Sequence, residues 1–188
     1  MIAMGTVTTT EAHLLTFEEF ERMEEEACKQ ELLEGELIEM PPPESKHNRN
    51  ATEIFLALRA ALIEAHARGE AGELGEVFME MGYRLTKRSW LLPDVSISHA
   101  GQPEGKYIEG APAIAIEVVS QEQRAEALDR KTHLYFERGA REAWHLYPNT
   151  RHMMIYTGSP LQVRVEGETV STPLLPGLSV SLRQILGD

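Results

Sequence analysis

The chain has 188 residues, the length of one ordinary domain, with 42% apolar and 26% charged residues, so it has enough interior for a real core. A single cysteine excludes an internal disulfide and suits a reducing cytoplasm. The net charge of −12 argues against phosphate-driven, non-specific affinity for nucleic acid. No apolar run reaches the length of a membrane span, and the Met-Ile-Ala-Met-Gly start lacks signal-peptide character. The expectation is a cytoplasmic protein. Between Glu11 and Glu44 there are 12 acids against Arg22 and Lys29; the remainder carries 18 acids and 16 bases and is nearly balanced.

Taken in order, residues 1–13 read as a flexible N-terminus, and residues 14–188 as a single domain. Thr16 and Glu19 have capping-box spacing, and Phe17, Phe20 and Met23 form an apolar stripe, which predicts a helix from about Phe17 to Cys28. Residues 30–40 predict two short strands around a turn at Glu34-Gly35, stopped by the prolines at 41–43. His47, Ala51, Ile54, Leu58, Ala61 and Leu62 recur at helical spacing, so a long helix runs from about Ser45 to Ala67 and closes at Gly69. Val77, Met79, Met81, Tyr83 and Leu85 alternate as one strand, and Trp90 to Ser98 reads as another. Residues 101–110 read as a loop.

Residues 113–120, Ala-Ile-Ala-Ile-Glu-Val-Val-Ser, are apolar enough to be a strand buried on both faces. Alternation places Ala113, Ala115, Glu117 and Val119 on one side, so Glu117 faces a layer of small residues. A carboxylate there requires a cation, a metal or hydrogen bonds. A helix follows from about Glu122 to Arg138. Its stripe of Arg124, Ala127, Leu128, Lys131, Leu134, Tyr135 and Arg138 aims Lys131 at the sheet. Three strands come next (143–147, 152–157 and 161–165), then a closing segment with a short helix near residues 182–186. Strands flanked by long helices define an α/β domain with a mixed sheet.

Asp94 follows a proline 23 residues before Glu117. A hairpin-like strand pair can set the two carboxylates side by side, and oxygen donors with open water positions suit Mg²⁺ or Mn²⁺. No Cys/His spacing suggests zinc, and no organic cofactor is implied. The plain alternative is a buried ion pair between Glu117 and Lys131.

Pro93-Asp94, Glu117-Val118-Val119-Ser120, Lys131, Tyr135, the run from Gly139 to Trp144, and Pro148 together resemble the Uma-two family of putative restriction endonucleases, within the PD-(D/E)XK nuclease superfamily. The opening Leu14 to Phe20, residues 31–36, His47 and Leu175-Pro176-Gly177 also fit its pattern. The resemblance implies a restriction-endonuclease-like fold, with a mixed central β-sheet flanked by helices. It also implies a metal-dependent endonuclease cutting DNA phosphodiester bonds. Carried over onto this chain, Asp94 and Glu117 are metal ligands with the Val118 carbonyl as a third. The lysine common two residues after the second acid is here Val119, and Lys131 on the next helix takes its place. Glu31, His47 and Tyr135 are accessory candidates. Cutting both strands would call for a homodimer. Ala127 and Tyr147 stand where relatives often carry aspartate. The rival reading is a catalytically silent nuclease-fold module that binds DNA or a protein partner.

Overall fold

The structure, a computed structural model, describes residues 13–23, 29–103, 105–120, 125–158 and 162–187. The stretch expected to be flexible lies, apart from His13, outside the described residues. Thr16 caps the first helix, α1 (Phe17–Phe20), as its spacing predicts: its hydroxyl accepts from the Glu19 N–H, and the Glu19 carboxylate accepts from the Thr16 N–H. The helix is shorter than expected, passing into turns at 21–23; the rest of the expected span, 24–28, is outside the described residues. β1 (Lys29–Leu33) and β2 (Glu36–Met40) pair antiparallel around Glu34 and Gly35, both at positive φ, which is the backbone a two-residue hairpin turn needs. α2 (Ser45–Arg68) ends where Gly69 adopts the left-handed conformation.

Two expected strands prove to be four. The run 77–85 is β3 (Leu74–Met79) and β4 (Tyr83–Thr86), separated where Glu80 turns to positive φ. The run 90–98 is β5 (Ser89–Leu91) and β6 (Val95–His99), parted at Leu92-Pro93-Asp94. Apolar alternation continues through both breaks, so the pattern alone does not show them. The loop expected over 101–110 contains a two-residue strand, β7 (Ile108–Glu109), parallel to β4. β8 (Ile114–Val118), α3 (Ala125–Glu137), β9 (Glu142–Tyr147), β10 (His152–Tyr156) and β11 (Gln162–Val165) follow as expected. The start of the α3 stripe, 121–124, is outside the described residues, and Arg138 is exposed rather than facing inward. The closing segment adds a hairpin the sequence reading missed, β12 (Thr169–Thr172) and β13 (Leu175–Ser181), before α4 (Leu182–Leu186).

These strands make a six-stranded mixed sheet, ordered β11-β10-β9-β8-β6-β3, and a five-stranded sheet, ordered β2-β1-β5-β4-β7. β8 pairs antiparallel with β6 and parallel with β9. One core layer fills the space between the six-stranded sheet and α2, β13 and α4, with Ile54, Leu58, Ile97, Ile114, Ile116 and Trp144 among its members. A second layer lies on the sheet's other face, where Ala115 meets Tyr83, Leu134 and Tyr135 of the smaller sheet and α3. Buried Glu142 is stabilised by two donors, the Trp144 indole N–H at 2.7 Å and the Thr172 hydroxyl at 2.6 Å. No helix among the described residues is long and apolar enough to cross a membrane.

Candidate active site

β6 and β8 pair with Val95 opposite Ile116. Continuing that register one step sets Asp94 opposite Glu117, with both side chains on one face. Asp94 is buried and hydrogen-bonded at both oxygens. Its Oδ2 accepts from the Val118 N–H at 2.7 Å, and its Oδ1 lies 3.1 Å from His47 Nε2. The hydrogen bond to Asp94 holds the His47 imidazole above its ordinary pKa despite partial burial.

Glu117 is 2% exposed and shares its pocket with three groups. Tyr135 donates its hydroxyl to Glu117 Oε1 at 3.1 Å, and Lys131 Nζ lies 3.5 Å from the same oxygen. Lys131 is nearer to Glu31, at 2.6 Å from Oε2, although off the preferred hydrogen-bond direction of that oxygen. Charge attraction depends weakly on angle, so Lys131–Glu31 is the principal ion pair. Glu31 is fully buried, its other oxygen accepting from the Leu92 N–H at 2.8 Å. Three elements therefore converge: β1 brings Glu31, β8 brings Glu117, and α3 brings Lys131 and Tyr135.

The electrostatics follow from this crowding. Burial pushes the Glu117 carboxyl up to about 8, against the pull of Lys131 and with the help of Glu31 and Asp94. Burial disfavours the Lys131 ammonium, but Glu117 and Glu31 more than offset it and raise its pKa. Burial likewise keeps the Tyr135 hydroxyl protonated. Lys131 thus pairs most closely with Glu31, beside a Glu117 carboxyl that burial pushes up and that the same ammonium pulls down.

That surplus of acid fits a hard divalent cation. Among the described residues, no three Asp, Glu, His or Cys side chains form a ready-made cage. Two carboxylates plus a main-chain carbonyl suit an ion that keeps several waters. Asp94, Glu117 and the Val118 carbonyl would be those donors.

Each expected residue thus falls in or beside one place, with Glu31 and His47 packed on the site rather than solvated. Two neighbours were missed. His145 pairs with Glu117 across the parallel strands and is buried. Its Nε2 lies 2.9 Å from the Thr132 hydroxyl, which itself donates to the Leu128 carbonyl. With that proton committed, His145 Nε2 must be the donor and Nδ1 the bare acceptor, which has no protein partner. Burial, then the Lys131 charge, lowers its pKa to about 4. Thr132 follows Lys131 on the inward face of α3; a polar residue at that helical period was the available signal.

A mixed sheet flanked by helices thus gathers Asp94, Glu117 and Lys131 at one place. The crystal structure of a putative nuclease belonging to DUF820 from Anabaena variabilis ATCC 29413 has the same fold: TM-score 0.79, 18% identity, covering 92% of this chain and 97% of that one. The model of the Uma2 family, described as putative restriction endonuclease, matches residues 17–183. The chain belongs to the Uma2 family. No curated protein matches it.

Proposed function

We propose that the chain is a metal-dependent endonuclease that hydrolyses phosphodiester bonds of DNA. The observation that carries this reading is Asp94, just before β6, held by the Val118 N–H of β8 next to Glu117, with the Lys131 ammonium behind them. Mg²⁺ or Mn²⁺ held there would polarise the phosphate and lower the pKa of a bound water. Asp94 is set for this by the Val118 N–H and His47, and Glu117 by Tyr135. Lys131, fixed by Glu31, supplies positive charge at the floor of the site against the charge that builds on the phosphate.

Nicking of supercoiled plasmid by purified protein with Mg²⁺ or Mn²⁺ tests the reading. Wild type is expected to cut and Asp94→Ala to lose at least about a hundredfold in rate. Equal cutting by Asp94→Ala would assign the activity elsewhere. A second reading, a nuclease fold that binds without turnover, is favoured by one observation: Glu31 already neutralises Lys131. Under it, divalent ions raise the melting temperature of wild type and not of Glu117→Gln, while no nucleic acid is cut.

A further inference from the structure

Four rings form a row on the sheet face that carries Glu117. Glu117 pairs with His145, so alternation brings Tyr147 to the same face, and Tyr147 pairs across β10 with His152. Ring centroids lie 4.8 Å apart from Tyr156 to His145, 6.4 Å from His145 to Tyr147, and 4.6 Å from Tyr147 to His152. The row leads from buried His145 outward to a half-buried Tyr147–His152 pair, stacked with only 12° between planes. Tyr147 ends β9, at the same edge as the end of β8, where α/β sheets accept ligands.

The start of α2 ties this pair to the acids. Lys46 Nζ lies 3.5 Å from the carbonyl of Pro148, next to Tyr147, and the following residue, His47, contacts Asp94. Lys46 therefore reaches the backbone one residue beyond Tyr147, and the His47 imidazole lies beside Asp94. Asp129 acts on His145 and on half-buried Tyr156, at the end of the row opposite His152.

We propose that the Tyr147–His152 pair is a stacking shelf for one unpaired base of a DNA strand whose phosphate lies at the Asp94–Glu117 site, with Lys46 meeting a neighbouring phosphate. This rests on the nuclease reading and narrows its substrate to single-stranded or locally opened DNA. Each base has a π-face that aromatic side chains can hold, and an intact duplex buries those faces against one another. With a net charge of −12, stacking has to contribute affinity that phosphate neutralisation cannot.

The test is a fluorescence titration in Ca²⁺ of an oligodeoxythymidine carrying one 2-aminopurine, alone and as a duplex with its complement. Wild type is expected to bind the single strand at least about tenfold more tightly than the duplex and to quench the probe on stacking. Tyr147→Leu, which keeps bulk without a π-face, and His152→Ala are each expected to lose about tenfold in single-strand affinity together with the quenching. Tyr147→Phe retains both. Equal affinity for the two forms, no binding of either, wild-type quenching by Tyr147→Leu, or tighter binding of oligouridine overturns the proposal. Binding is read without turnover, so intact quenching with no plasmid nicking would instead count against the nuclease reading.

Discussion

With its ammonium 2.6 Å from Glu31 and 3.5 Å from Glu117, Lys131 neutralises a pocket holding two acids, and substituting it alone strands both. Lys131→Met is expected to destabilise the protein by about 3–5 kcal/mol in urea unfolding. For a simple two-residue ion pair, replacing Lys131 and Glu117 together by Met would be near neutral. Here Glu31 stays behind, fully buried, so the double variant should remain destabilised. His145 sets a pH dependence of definite sign. Its folded pKa of about 4 lies below the ordinary 6.5, so between those values the unfolded chain binds the extra proton. Stability from this group is complete above pH 6.5 and is lost as pH falls toward 4, by about 1.4 kcal/mol per unit at most. His145→Gln should flatten the unfolding free energy across that window; an unchanged slope would mean that His145 does not titrate as its burial demands.

At the scale of elements, the turn between β3 and β4 leaves no room for a side chain at Gly82. A Cβ there would meet the Trp90 indole at 2.5 Å, so Gly82→Ala is expected to cost about 1–3 kcal/mol and to shift tryptophan emission. Helix α2 was legible because its stripe repeats over about four turns and Gly69 marks its end. The β1–β2 hairpin was legible from Glu34-Gly35 between short apolar runs. The breaks at 80–82 and 92–94 were not, since alternation fixes only which face a side chain takes and not which sheet the strand joins. Pro93 was the visible clue. The β12–β13 hairpin was hidden because its strands are half-exposed and Pro176-Gly177 interrupts the second. At the site, the acids and Lys131 stood out as charges in apolar patterns. The partnership of Glu31 with Lys131 spans 100 residues of sequence and had no local signature.

For the whole molecule, the net charge of −12 limits how DNA can be held. Without divalent ions, binding is expected to be weak and to change by less than about tenfold between 50 and 200 mM salt, as fluorescence anisotropy would show. A loss of a thousandfold or more would reveal a multi-phosphate contact surface that the charge distribution does not suggest.

The chain crosses between its two sheets just before Asp94, which leaves Glu31 on the smaller sheet and Glu117 on the larger. A nascent or partly unfolded chain in which the sheets have not docked has the acids but cannot gather them. The cluster around Lys131 is thus gathered only when the two sheets dock, because Glu31 and Glu117 reach its ammonium from opposite sides of the layer between them.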